Sequence, residues 1–349
     1  METGLVTLGD NLPHPLTGER MPAAARFRQI IELGVLAEEL GFTSFHLGEH
    51  HFSDYILSSP TPLLAAVAER TKQLRLSTAV SLLPHHDPVR VAEDYATVDV
   101  ISGGRVELIA GRGVYKRHHA LFGQQPERSG ELLSEAVTLL RRLWTEEDVH
   151  WEGTLRPPLT GVTVHPRPVQ EPHPPLWLSA SSEESVDRAI ELGCPITIPT
   201  VSTGVAGAPR IAARYRTGWA AAGRDPAGCR VALHLHCHVG VGTTAEAVDA
   251  WRPYQHGYLS WVLRDVVGTD GTLPPHFAAL GEPGAQAVVG SVEDVAADIA
   301  GRIRDCGGVD RLLVQMDQGA YPPELVVATV TRFARDVLPR VREAPGASA

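Results

Sequence analysis

The segment Gly48-Glu49-His50-His51-Phe52 places one carboxylate and two imidazoles in consecutive positions. Histidine titrates nearest to neutral pH, and a neighbouring carboxylate can orient its proton, so the three residues form a plausible proton-handling cluster. An apolar run over 42–47 leads directly into it. The cluster therefore falls where a strand would end, the place where catalytic groups collect in chains that alternate strands and helices. Taken alone, the five residues fit equally well with histidines that have no task, since imidazoles are often partly buried.

Four further groups could carry chemistry. Gly111-Arg112-Gly113 follows an apolar run; its glycines permit close backbone approach to a ligand, and the guanidinium could fork onto a phosphate. A tight turn with a structural ion pair accounts for it too. Ser181-Ser182-Glu183-Glu184-Ser185 opens a helix. Ser181 with Glu184 fits a capping box that needs no ligand; exposed N–H groups there, with the Ser182 and Ser185 hydroxyls, could also receive a phosphate. His234, His236 and His238 alternate and so face one side of a strand. They could wall a pocket or, with ligands from another element, bind a metal. Trp251, Tyr254, Tyr258 and Trp261 fall at helical spacing, which fits a packing face that could also wall an apolar pocket.

These groups need a frame. Apolar patterning predicts strands over 5–8, 44–47, 74–81, 106–109, 176–179, 195–198, 231–239 and 311–315. Helices are expected over 26–40, 62–71, 88–101, 128–144, 183–192, 210–222, 244–263, 292–306 and 323–338. Asp87-Pro88 is a strong helix start, and Gly41 and Gly193 are stops. Eight alternating units imply an α/β fold of the (β/α)8 TIM-barrel type, with an open doubly wound sheet as the other topology. No glycine-rich dinucleotide fingerprint follows the first strand, which weighs against the second. Residues 1–342 read as a single domain. A proline-rich excursion is expected over 150–175, a long loop that could act as a mobile lid over 264–289, and a frayed tail over 343–349.

The chain has 349 residues, 43% hydrophobic and 21% charged, with a formal net charge of −10. An acidic surface argues against a nucleic-acid backbone or an anionic membrane as the main partner. The absence of a long apolar run or a basic leader, with four scattered cysteines, leads to the expectation of a cytoplasmic protein with reduced thiols.

Taken in order, the motifs resemble one family. Gly41-Phe42 into Gly48-Glu49-His50-His51-Phe52 is similar to the second-strand motif of the bacterial luciferase-like flavin monooxygenases. Ser77-Thr78-Ala79-Val80-Ser81-Leu82-Leu83-Pro84 with Asp87-Pro88-Val89-Arg90 resembles that family's third strand and helix. Ser102-Gly103-Gly104-Arg105-Val106, Gly111-Arg112-Gly113-Val114-Tyr115, Phe122-Gly123 and the stretch from Gly290-Ser291 to Val337-Leu338-Pro339 continue the likeness. It is weakest over 200–289.

The resemblance implies a luciferase-type barrel that binds reduced FMN and oxygenates a small organic substrate with O2 through a C4a-hydroperoxide. It implies His50 in proton transfer, with Glu49 and His51 supporting it. Arg112, Ser182 and Ser185, with Ser181 beside them, would hold the FMN phosphate, flanked by the Val114-Tyr115 backbone. A non-prolyl cis peptide would fall at Ala79-Val80. A separate flavin reductase and a homodimer are implied as partners, with no metal. One departure is Gly111, where the light-producing luciferase subunit carries cysteine. The alternatives are an F420-dependent hydride-transfer enzyme of the same superfamily, a flavin-binding partner subunit of low activity, and a metal-dependent hydrolase using His234, His236 and His238.

Overall fold

Eight short runs with alternating inward and outward side chains close on one another. In the computed structural model, which describes residues 1–282 and 284–344, they are β1 (Glu2–Thr7), β2 (Ser44–Leu47), β3 (Arg75–Leu82), β4 (Val106–Gly111), β5 (Leu176–Ser179), β6 (Ile196–Pro199), β7 (Val231–Val239) and β8 (Arg311–Gln315). Each pairs in parallel with the next, and β8 returns to β1 through Glu2↔Arg311 to Val6↔Gln315. This is the closed (β/α)8 barrel expected. The β3–β4 register shifts between Ala79 and Ser81.

The principal helices are α1 (Ala23–Glu39), α2 (Pro60–Arg70), α3 (Pro88–Ser102), α4 (Ser129–Thr145), α5 (Glu183–Leu192), α6 (Gly207–Ala221), α7 (Thr244–Trp261), α8 (Val292–Asp305) and α9 (Pro323–Arg332), with shorter ones between them. Their ends follow local chemistry. The Asp87 carboxylate accepts the Val89 N–H, a cap that typically contributes about 0.5–2 kcal/mol. Gly103 ends α3 in the left-handed region at φ 66°, which costs glycine little. Thr243 and Glu246 form a capping box at α7.

Apolar side chains pack in three places, one of them beside the mouth, where Leu12, Tyr55, Tyr258, Leu259, Trp261 and Val266 meet. The larger core lies between the outer faces of the strands and the helices. A smaller plug inside the barrel joins Val6, Ile109, Trp177, Ala232 and Leu313. It separates the buried Glu107–Arg311 pair at the strand amino ends from a mouth at their carboxyl ends.

Outside the barrel repeat, the 150–175 excursion contains an antiparallel hairpin of Val149–Trp151 with Leu159–Val162. The 264–289 segment carries more order than a simple loop. A π-helical stretch, Val262–Val267, continues α7, a short helix spans Pro275–Ala278, and Val288–Gly290 adds a parallel strand beside β7. Residues 345–349 of the expected tail lie outside the described residues.

Candidate active site

Glu49 follows β2 and is only 2% exposed. His51 Nε2 and His86 Nε2 each donate to its Oε1 at 2.7 Å. Ser81 Oγ and the Leu82 N–H donate to its Oε2 at 3.0 Å. Burial alone would raise the Glu49 pKa; the His51 and His86 bonds, with the Leu82 N–H, reverse this and hold the carboxyl well below its usual range. Burial opposes charge on His86 too, and Glu49 outweighs it, raising that imidazole's pKa. Among the described residues this is the one group of three whose ligand-type atoms converge within metal-binding reach. Its carboxylate is already met on both oxygens, so as built it ties the end of β2 to the end of β3.

That tie presents His50. His50 lines the mouth, while His51 turns away and packs edge-on against Phe122 at 4.8 Å. The His50 ring lies 4.0 Å from the Tyr55 ring, and its Nδ1 has no partner within the protein. Burial pushes its pKa down to about 4, so the ring is neutral at pH 7. Tyr55 OH and Tyr258 OH are 2.8 Å apart, and burial raises both pKa values, keeping the pair as neutral hydroxyls. Tyr115, also in the mouth wall, is pushed by burial up to about 12.

Between β2 and β4 the backbone of β3 forms the side of the mouth, with a cis Ala79–Val80 peptide as the resemblance implies. Two glycines let it sit there. A Cβ on Gly48 would lie 2.2 Å from Leu8 Cδ2, and one on Gly111 would lie 2.6 Å from Val80 Cγ2. The Val80 side chain therefore fills the space that a residue larger than glycine would need at 111.

The far side of the mouth is suited to an anion. Arg112 and Arg188 both line it. Arg112 Nη1 donates to Ser129 Oγ at 3.3 Å, and Arg188 Nη2 donates to Glu184 Oε1 at 2.8 Å. Glu183 points to Arg214, at 3.3 Å. The Ser181 and Ser182 N–H groups both donate to Ser185 Oγ, at 3.0 and 2.9 Å. The capping box is Ser182 with Ser185, not Ser181 with Glu184. A serine oxygen thus occupies the seat where an anion oxygen would accept both donors. Ser181 and Ser185 line the mouth; Ser182 is exposed outside it.

The mouth, with its opening, encloses about 1350 Å3. Glu49, His50, Ala79, Val80, Arg112, Val114, Tyr115, Ser181 and Ser185 all face it. His234 and His236 do as well; His238 stacks instead on Trp251 at 5.4 Å. Residues that sequence reasoning missed are His86, Tyr55, Arg188, Thr197 and Gln315. His86 had a signal, a histidine pair just after strand three. Arg188 had none, since it reads as an ordinary exposed helix residue.

Residues 1–308 match the luciferase-like monooxygenase family. The chain belongs to that family and is an oxidoreductase of the luciferase-like class. It is 29% identical to the 4-hydroxyprotoasukamycin monooxygenase of Streptomyces nodosus subsp. asukaensis over 94% of this chain and 89% of that one. It is 30% identical to the oxygenase component of the flavin-dependent trigonelline monooxygenase of Acinetobacter baylyi, over 51% of this chain and 50% of the relative. The chain spans 63% of the length of another relative, an uncharacterized Sinorhizobium fredii protein, at 29% identity. Among solved structures, a monooxygenase from Streptomyces bottropensis superposes with TM-score 0.82 at 28% identity, covering 97% of this chain and 99% of that one. The oxygenating constituent of 3,6-diketocamphane monooxygenase from Pseudomonas putida, in complex with FMN, shares the fold at TM-score 0.79 and 20% identity, covering 98% of each chain. Among the described residues, no helix is long and apolar enough to cross a membrane.

Proposed function

We propose that this chain is the oxygenase component of a two-component, FMN-dependent monooxygenase that receives reduced flavin from a separate reductase and oxygenates a small organic substrate with O2. The carrying observation is one cavity with two chemically opposite ends. Arg112, Arg188 and the start of α5 offer an anion seat, and neutral His50 stands against Tyr55 in an apolar corner. A phosphate-bearing planar cofactor fits such a cavity, with the glycine-flanked Ala79–Val80 backbone as the flat wall between its ends.

Bound reduced flavin would supply the electrons that activate O2. The chain's own residues do the rest. Arg112 and Arg188 bind the phosphate through charge-assisted hydrogen bonds. Leu8, Leu259 and Val262 help exclude water. His50, neutral at working pH, accepts or returns a proton at its ring nitrogen, and Glu49 holds it in place through the backbone rather than touching the reaction.

His50→Ala is expected to lower turnover by roughly 100-fold or more while FMN affinity stays within about threefold, since general acid–base groups contribute about 10²–10⁴. The assay is stopped-flow oxidation of the FMNH2-loaded protein with labelled O2. Turnover equal to wild type removes the proton-transfer role. Spectral titration with FMN and with F420 decides the cofactor; tighter binding of F420 replaces oxygenation by hydride transfer.

A further inference from the structure

We propose that the floor of the mouth is a hydrogen-bonding subsite for a planar heterocycle presenting a neutral carbonyl beside an N–H, the edge of a cyclic amide or imide. It deepens the flavin reading, on which it rests for its place in the reaction.

Three neighbouring strands build this floor: Thr197 on β6, His234 on β7 and Gln315 on β8. All three line the mouth, and all are at least nine-tenths buried. Thr197 Oγ1, His234 Nε2, Gln315 Nε2 and Gln315 Oε1 have no hydrogen-bond partner within the protein. An unpaired buried polar atom costs about 1–3 kcal/mol, so a group of them on one wall is best explained by something that pairs with them. Tyr258 OH lies near enough to Gln315 to be influenced by it, yet no hydrogen-bond geometry joins the two, and that hydroxyl is paired with Tyr55.

The chemistry of the occupant follows from the donor set. Gln315 offers one acceptor and an NH2 donor side by side. A carbonyl next to an N–H meets both in one flat cycle. His236 adds a donor. Gln255 Nε2 approaches its Nδ1 at 3.2 Å, and burial keeps the ring neutral, with its pKa near 3, so Nε2 carries the hydrogen. A carboxylate would match the oxygen count but would bring a charge onto a floor of neutral groups; the mouth-lining guanidiniums, Arg112 and Arg188, belong to the β4–β5 side. Leu313 and Ala232 of the plug lie directly below, so the occupant is a ring edge resting on an apolar base.

Two ligands carry this edge, the pyrimidine-dione of a flavin and an amide- or imide-bearing substrate. Calorimetry with phthalimide and N-methylphthalimide, on FMN-free and FMN-loaded wild-type protein, separates them. At least about tenfold preference for phthalimide in the loaded protein, lost in Gln315→Met and reduced in Thr197→Val, assigns the floor to the substrate. Preference only in the FMN-free protein, with FMN binding weakened about tenfold in Gln315→Met, assigns it to the cofactor's own edge. Absence of preference in both states, with FMN affinity unchanged in Gln315→Met, overturns the proposal. The wild-type comparison stands even if a variant fails to fold. A chain that takes no FMN but still discriminates the imides loses the flavin reading and keeps the floor.

Discussion

Below the apolar plug, Arg311 donates through both terminal nitrogens to Glu107, while its Nε donates to Glu2 at 2.7 Å and its guanidinium lies 4.6 Å above the Trp177 ring. Above the plug, Thr197, His234 and Gln315 reach into the mouth without partners. Both regions bury polar groups inside the same barrel. In the lower one every named charge is met by an opposite charge, so the group is structural. In the upper one the groups are neutral and unmet within the protein, and on this the proposed ligand subsite rests. Burial alone therefore does not mark a site, and neither does one unmet atom, since Nδ1 of His46, within reach of the Glu107 and Arg311 charges, also lacks a protein partner; several unmet groups converging on one open mouth do.

Acid should strain both regions, the lower through His46, whose pKa burial pushes down to about 3, and the upper through three imidazoles. His50 and His234 have pKa values near 4 and His236 near 3, against 6.5 for the free side chain, with burial the principal cause. Because the folded values are lower, the unfolded chain takes up the protons. Stability is fully present above pH 6.5 and is lost as pH falls toward 4. Each such histidine should cost about 2 kcal/mol by pH 5. Urea midpoints across pH 5–8 measure it, and a flat profile would mean the mouth is solvated.

Arg311→Met tests the lower region. Leaving buried Glu107 with only the half-buried Arg75, whose Nε donates to it at 3.3 Å, should cost about 3 kcal/mol, read as a lowered urea midpoint with FMN affinity unchanged below the transition. A loss under about 1 kcal/mol would erase the contrast between the two ends. Arg112→Ala should have a smaller effect and of another kind. It should weaken FMN about tenfold or more in a fluorescence titration, with little change in stability. Unchanged affinity removes Arg112 from the anion seat. The smallest effect on folding is expected for Gln315→Met, within about 1 kcal/mol of wild type, because it removes polar atoms that have no protein partner.

The barrel was legible because its signals are local. β2, β5, β7 and β8 match their expected bounds, each an apolar run bounded by turn residues or a helix start. The helix Lys116–Leu121 was missed because Lys-Arg-His-His-Ala-Leu has no apolar stripe. The strand Val288–Gly290 was missed because it follows a Gly/Pro-rich stretch and forms only by pairing with β7. At the site, motif order pointed to Glu49, His50 and Arg112. Ser182 was placed in the seat and in fact caps α5 from outside the mouth. Arg188 was invisible, because what brings it to the mouth is tertiary: it lies against Gly130 of α4, where a Cβ would come within 2.2 Å of its Nη2. Gln315 and Thr197 read only as strand residues, since a missing partner is visible only once neighbouring strands are in place.

Ser185 carries a last consequence. Its hydroxyl oxygen already satisfies the Ser181 and Ser182 N–H groups. On the proposed reading, arrival of a phosphate would be a swap of one oxygen for another, made by rotating a single side chain, and departure would restore the serine cap of α5. If the proposed supply of a diffusible cofactor holds, the protein would spend part of every cycle empty, and this rotor would let it wait intact between deliveries.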